Sequence, residues 1–154
     1  MRCYKMDKSF YENLMREAQD KDINRYVVGA VIQRNSSILL LERPKDDFMG
    51  GIYELPSGRV GDGESLDIAL HREVEEETGL KIREIKTYLG HFDYESKSGE
   101  KTRQFNFAVT VGEPLEIKLQ EHDNYAWANK GQLQQYPVTD SVRQVLGTFF
   151  AQSN

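Results

Sequence analysis

The segment GRVGDGESLDIALHREVEEETGL, residues 58–80, joins a glycine-rich start to a run of apolar residues and glutamates. A helix is predicted to begin near Glu64 or Ser65 and to end at Gly79, because glycine is favoured just past a helix C-terminus. At 3.6 residues per turn, one side of this helix carries an apolar arc formed by Leu66, Ala69, Leu70 and Val74. The segment is therefore expected to pack one helical face against a core.

Three glutamates on this helix lie close to the apolar arc. Glu73 and Glu77 point into its middle, one turn apart, and Glu76 lies on its flank. A Glu-rich run is more often a solvated helix face, but that interpretation fails for Glu73 and Glu77, whose neighbours are Leu and Val. Burying an unpaired carboxylate costs roughly several kcal/mol. Arg72 supplies one positive charge, and the remaining negative charge indicates a bound metal ion.

The identity of the metal follows from the donor atoms. Carboxylate oxygens suit Mg²⁺ or Mn²⁺ better than zinc, which prefers histidine and cysteine. Mg²⁺ held by a few carboxylates retains waters and binds substrate phosphates. The glycine-rich run before the helix can bring its backbone close to the metal and to an anion. These features suggest metal-assisted attack of water on a phosphoanhydride.

The spacing of the segment resembles a known signature. Nine positions within residues 58–80 match the Nudix box of the Nudix (MutT-like) hydrolases, namely Gly58, Glu64, Arg72-Glu73-Val74, Glu76-Glu77 and Gly79-Leu80. Upstream, GGIYELPSG (residues 50–58) resembles a family segment, with Tyr53 where Trp is usual and Ser57 where Gly is usual. Downstream, EHDNYAW (residues 121–127) resembles the strand that carries a further acid in many members.

The resemblance implies roles for these acids, in agreement with the helical geometry. Glu73, Glu76 and Glu77 are expected to bind the metal, and which glutamate acts as general base stays open. Gly58 is expected either to offer its carbonyl to the metal or to meet a conformational requirement. Glu121 matches a catalytic or metal-binding acid, with an ordinary exposed glutamate as the alternative.

Other polar residues have supporting roles in this interpretation. Arg72 is expected to orient a glutamate through a charge-assisted hydrogen bond, the alternative being a surface pair with Glu76 at i, i+4. Glu64 is expected to be structural, tying the loop to the helix start or to Arg72. His71 and His122 lack partners at metal-ligand spacing, so neither is expected to bind zinc.

Candidate substrate-binding residues lie outside the helix. Arg43 follows an apolar strand where relatives often place a phosphate-binding arginine. Arg59, Lys101 and Arg103 are further candidates, although simple solvation is favoured for these three. Tyr53 is a candidate for base stacking, as are other aromatic residues, although aromatics on strands are usually core: Phe48, Phe92, Tyr94, Phe105, Tyr125 and Trp127.

The remaining pattern predicts strands and two further helices. The predicted strands are residues 26–33, 38–42, 82–92, 102–111 and 124–129, and Pro114 lies in a break after the fourth. The predicted helices are residues 9–20 and 140–151, with Asp140 as the N-cap of the second. Together they indicate an α/β/α sandwich with a mixed central sheet, the Nudix fold that the resemblance also implies. We expect one domain over residues 1–154, with about residues 1–22 as an N-terminal helical extension.

Composition excludes some classes of protein. The chain has 154 residues and a net charge of −5, which argues against binding polymeric nucleic acid, since such proteins usually carry a basic surface. The single cysteine, Cys3, cannot form an intramolecular disulfide. No apolar run approaches membrane-spanning length, and no signal-peptide core is present at the start. A cytoplasmic protein without membrane association is expected.

The predicted activity is Mg²⁺-dependent hydrolysis of a nucleoside diphosphate linked to another moiety. A nucleoside triphosphate, normal or oxidised, is the favoured substrate, with the monophosphate and pyrophosphate as products. ADP-ribose or a nucleotide sugar is the alternative, and because such hydrolases tend to be longer and dimeric, a homodimer is also considered. A nucleotide-binding module without catalysis is disfavoured, because such modules commonly lose box glutamates that this chain keeps.

Overall fold

The computed structural model describes residues 5–113 and 115–152, so that Cys3 and Pro114 lie outside the described residues. The helices are α1 (Lys8–Asp20), α2 (Leu66–Thr78) and α3 (Asp140–Gln152), and a 3₁₀ helix spans Lys130–Gln135. The strands are β1 (Arg25–Arg34), β2 (Ser37–Glu42), β3 (Tyr53–Glu54), β4 (Ser57–Arg59), β5 (Ile82–Glu95), β6 (Lys101–Val111) and β7 (Asn124–Asn129).

The strands form one mixed sheet of seven. Its main path runs β3-β2-β1-β6-β5, while β4 pairs with β1 and β7 pairs with β2. Strands β1 and β6 are parallel, and every other pairing in the described part of the sheet is antiparallel. The short strand β4 leads towards α2, so the glycine-rich run begins at the sheet.

Helices cover both faces of the sheet. Because side chains alternate across a strand, Leu39 and Leu41 of β2 join one core cluster, and Ile38 and Leu40 join another. The first cluster includes buried residues of α1 and α2, and the second includes the apolar face of α3. The predicted α/β/α sandwich is confirmed. In residues 5–113 and 115–152, no helix is both long and apolar enough to cross a membrane.

Two local predictions need correction. The N-cap of α3 is Thr139 rather than Asp140, because the Thr139 hydroxyl accepts a hydrogen bond from the Val142 N–H at 3.2 Å and Asp140 is already helical. Strands β3 and β4 were not predicted, since runs of two and three residues are too short to show strand periodicity.

Candidate active site

The glutamates of α2 differ in burial as predicted. The side chains of Glu73 and Glu77 are 14% and 16% exposed, whereas that of Glu76 is 57% exposed. Glu75 points to solvent. The helix ends at Gly79, whose φ of 77° lies in the left-handed region that favours glycine. The predicted helical phase is confirmed.

Arg72 bonds with three carboxylates at once. Its guanidinium donates to Glu64 at 2.7 and 2.8 Å, to Glu73 at 2.7 Å and to Glu76 at 3.1 Å. It also donates to the backbone carbonyl of Arg59 at 3.0 Å. The orienting bond to Glu73 and the surface pair with Glu76 are therefore both present. Arg72 holds the helix against the strand that precedes it.

Glu64 links the glycine-rich run to this arginine. Its carboxylate accepts the two Arg72 bonds and a third from the Gly61 N–H at 2.8 Å. The hydrogen bonds from Arg72 lower the pKa of Glu64 to about 2. Glu64 is thus held ionised within a local framework.

Gly58 is required for space rather than for its backbone angles. It lies in β4 opposite Val28 of β1, and its φ is not positive. A Cβ at this position would fall on the Glu73 carboxylate. The expected conformational requirement for positive φ is therefore wrong, and contact with the acidic cluster explains the glycine.

Glu77 has a different environment from Glu64. Its Oε1 accepts a hydrogen bond from the Ser57 N–H at 2.6 Å. Burial is the largest influence on this carboxyl and raises its pKa to about 7. Burial also raises the pKa of Glu73, against the opposing effect of Arg72. This raised pKa allows the Glu77 carboxyl to exchange a proton near neutral pH.

Sequence reasoning missed two residues in this part of the site, His122 and Glu54. His122 Nε2 lies 2.7 Å from Glu54 Oε2, and His122 Nδ1 lies 3.8 Å from Glu77 Oε2. Burial lowers the pKa of His122, but the bond to Glu54 and the charge of Glu77 outweigh that effect and raise it overall. The sequence gives no signal for this grouping, because the partners of His122 lie 45 and 68 positions away.

The arginines that are candidates for phosphate binding have different surroundings. Arg43 Nη1 contacts Glu54 Oε1 at 3.3 Å, and the buried Arg43 Nε has no hydrogen-bond partner among the described residues. Arg59 is exposed. Arg103 donates to both oxygens of Asp93, at 2.8 and 2.9 Å, and its charge is therefore already paired. The favoured interpretation of Arg103, simple solvation, is wrong, because its side chain is buried and paired with Asp93.

A cleft of about 890 Å³ joins the Glu77 side of the site to the surface. Gly58, Glu77 and Glu121 line it, and so do the candidate substrate-binding residues Arg43, Arg59 and Tyr53. Glu121 is exposed on the loop before β7. The lining does not include Arg72, Glu73 or Glu76. Of the three α2 glutamates predicted to bind metal, only Glu77 therefore borders the cleft.

The cleft is also aromatic. Phe48, Tyr53, Phe92 and Tyr94 line it, whereas Phe105 is fully buried in the core. Phe48 is 59% exposed, and the Lys97 ammonium lies 5.0 Å from the centre of its ring. An exposed aromatic ring beside a cation provides a surface on which a planar base can stack.

The donor set fits a hard divalent cation. In the described part of the chain, no three His, Cys, Asp or Glu side chains are grouped so that they could hold a metal ion as they stand. Glu73 and Glu76 bond with Arg72, and Glu77 bonds with the Ser57 N–H. All three offer carboxylate oxygens, the donors that Mg²⁺ and Mn²⁺ prefer. A cation held by this set would also offset the repulsion among its buried charges.

Comparison with known proteins agrees with this geometry. The NUDIX domain profile matches residues 23–149. The CTP pyrophosphohydrolase of Escherichia coli strain K12 is 30% identical over 125 residues, covering 81% of this chain and 90% of that protein. The nucleoside triphosphatase NudI of Escherichia coli O17:K52:H18 is 30% identical over 132 residues, covering 79% of this chain and 94% of that protein.

Comparison of the fold with solved structures points to the same family. The crystal structure of the MutT NUDIX hydrolase from Burkholderia pseudomallei matches with a TM-score of 0.69 and 29% identity. The match covers 80% of this chain and 96% of that one.

Proposed function

The chain belongs to the NUDIX domain family, an enzyme family that hydrolyses nucleotide pyrophosphate bonds, and from that premise we propose that it acts on nucleoside triphosphates, normal or oxidised. The products would be the nucleoside monophosphate and pyrophosphate. Two relatives named for acting on CTP and on nucleoside triphosphates support this choice among nucleoside diphosphate derivatives.

The observation that carries the proposal is the composition of one cleft. A buried carboxyl, Glu77, an arginine, Arg43, and an exposed aromatic ring, Phe48, line the same 890 Å³ space. These groups correspond to the three parts of a nucleotide reaction: proton transfer, phosphate binding and base stacking. A nucleoside triphosphate has a phosphoanhydride for water to attack, phosphate groups for Arg43 to bind and a base that can stack on Phe48.

Glu73, Glu76 and Glu77 would hold Mg²⁺, or Mn²⁺, with Gly58 and Glu121 as further ligands. When bound, the metal polarises the phosphoanhydride and lowers the pKa of a bound water. Arg72 keeps Glu73 and Glu76 in place through its hydrogen bonds.

The chain's own groups complete the reaction. A carboxylate of the site accepts the proton of the attacking water, whose oxygen bonds to one phosphorus of the α–β anhydride as the bridging P–O bond breaks. Arg43 and Arg59 would stabilise the phosphate charge through charge-assisted hydrogen bonds. Tyr53 and Phe48 would border the base.

A hydrolysis screen tests this function. The purified protein is incubated with Mg²⁺ and with normal triphosphates, 8-oxo-dGTP, ADP-ribose, nucleotide sugars and dinucleoside polyphosphates, and the products are identified by ion-exchange chromatography. We expect a triphosphate to be the best substrate and to give monophosphate and pyrophosphate. Preference for ADP-ribose or a nucleotide sugar over every triphosphate would overturn the substrate class, and no turnover of any compound would overturn the function.

A further inference from the structure

His122 occupies a buried position at the junction of three chain segments. Its side chain is only 6% exposed. The neighbouring Asp123 fixes its loop, because the Asp123 N–H donates to the Glu42 carbonyl at 3.1 Å and its carboxylate accepts from the Lys45 N–H at 3.3 Å. The loop that carries His122 is therefore fixed to the end of β2 and to the residues that follow it.

The two ring nitrogens face two carboxylates on different elements. Nε2 lies 2.7 Å from Oε2 of Glu54 on β3, and Nδ1 lies 3.8 Å from Oε2 of Glu77 on α2. The other oxygen of each carboxylate already has a partner. Arg43 contacts Oε1 of Glu54, and the Ser57 N–H donates to Oε1 of Glu77.

The environment of Nδ1 distinguishes His122 from an ordinary core histidine. Nδ1 is buried and has no hydrogen-bond partner among the described residues. Leaving a buried polar atom unpaired is unfavourable, and native proteins seldom do so. The unpaired atom is aimed at Glu77, which lines the cleft, rather than at the hydrophobic core.

We propose that His122 is a positioning residue that links Glu54 to Glu77 and thereby sets the orientation of the Glu77 carboxylate for a divalent cation. This inference rests on the function proposed above. Groups that orient a metal-binding carboxylate typically change metal affinity or activity by about 10- to 100-fold when they are removed. Glu54 takes part as the second anchor of the imidazole, since its other oxygen is held by Arg43.

Binding of Mn²⁺ alone provides the most direct test. Isothermal titration calorimetry without nucleotide is carried out on the wild type, His122→Phe, Glu54→Gln and the double variant. His122→Phe fills the same space without ring nitrogens, and Glu54→Gln keeps the shape of the side chain. His71→Phe is the matched control, because His71 is exposed on α2.

We expect His122→Phe to weaken Mn²⁺ binding about tenfold and Glu54→Gln to weaken it by a smaller factor. The double variant should bind no worse than His122→Phe, since both substitutions break one linkage and their effects should not add. With the best nucleotide from the screen, His122→Phe should lower kcat about tenfold while KM changes by less than about threefold. A residue with only a structural role would lower the thermal midpoint without this pattern.

The outcomes separate this inference from the proposed function. If no nucleotide is hydrolysed but His122→Phe and Glu54→Gln weaken Mn²⁺ binding non-additively, the proposed function fails and the positioning role stands. If the wild type hydrolyses nucleotides and His122→Phe matches it in Mn²⁺ affinity and kcat, the positioning role is overturned. Additive effects, or no Mn²⁺ binding by the wild type, would also overturn it. Should His122→Phe fail to fold, an unchanged Mn²⁺ affinity of Glu54→Gln would by itself overturn the positioning role.

Discussion

Glu64 and Glu77, near opposite ends of α2, have opposite electrostatic environments. Glu64, before the helix, accepts three hydrogen bonds and has its pKa lowered to about 2 by the bonds from Arg72. Glu77, in the last turn, accepts one backbone bond and has its pKa raised to about 7, chiefly by burial. The comparison shows that partners and burial, rather than residue type, separate a carboxylate that holds the fold from one suited to chemistry.

Replacing Glu77 should have the largest effect. Loss of a group that transfers a proton or binds the metal costs about two to four decades in rate, so Glu77→Gln should lower kcat at least about a hundredfold. The protein should remain folded, because Gln can still accept from the Ser57 N–H and removes a buried charge. Steady-state hydrolysis and circular dichroism measure the two properties.

Glu75→Gln is the control for this variant, since Glu75 is exposed on the same helix. Its turnover should equal that of the wild type. Equal damage from both substitutions, or an unfolded Glu77→Gln protein, would show that the acidic face supports the fold rather than the reaction.

The pH dependence of stability should reveal the same contrast without any substrate. The folded pKa of Glu77, about 7, is above its ordinary value of 4.5, so its contribution is fully present below pH 4.5 and is lost as pH rises through 7. Without metal, the free energy of unfolding should fall between these values by about 2–3 kcal/mol. Glu73 and His122 have raised pKa values too and act with the same sign.

Urea unfolding in EDTA at a series of pH values measures this change, with Glu77→Gln as the comparison. The variant should show a flatter profile over the same range. Glu64 has the opposite sign, because its depressed pKa makes its contribution decline only as pH falls from 4.5 towards 2. A wild-type protein that gains stability between pH 4.5 and 7 would contradict the buried environment assigned to Glu77.

Glu121 should give a smaller effect, as an exposed acid at the cleft. If it binds the metal or accepts a proton, Glu121→Gln should lower kcat at least about tenfold, and by more than it raises KM. Glu116→Gln is the matched control, because Glu116 is also exposed on the segment between β6 and β7. Wild-type turnover of Glu121→Gln at saturating Mg²⁺ would remove Glu121 from the site.

The helical half of the site could be predicted from the sequence because it is local. Periodicity of 3.6 residues per turn places Glu73 and Glu77 beside buried neighbours, and the structure confirms that placement. Continuous apolar runs at residues 26–33 and 38–42 likewise predicted the strands β1 and β2. Such patterns depend on residues within one element.

The other half depends on pairings between distant segments. Glu54 lies on a strand of two residues, and His122 reaches it through the pairing of β7 and β3 with β2. Arg103 resembled a free cation in the sequence but meets Asp93 across the β5–β6 ladder. No periodicity within one element carries this information, so tertiary pairing decided these contacts.

The most direct test of the central claim compares Glu64→Gln with Glu77→Gln for kcat in the presence of Mg²⁺ and, separately, for the thermal midpoint in EDTA. Glu64→Gln removes the carboxylate charge that accepts hydrogen bonds from Arg72, so it should lower the free energy of unfolding by about 1–2 kcal/mol. For a chain of this size, each kcal/mol lowers the thermal midpoint by about 2–4 °C. We predict that Glu64→Gln lowers the midpoint and keeps kcat within about tenfold of wild type, while Glu77→Gln keeps the midpoint and loses at least about a hundredfold in kcat. A Glu64→Gln protein that keeps its midpoint but loses as much turnover as Glu77→Gln would contradict the division of roles.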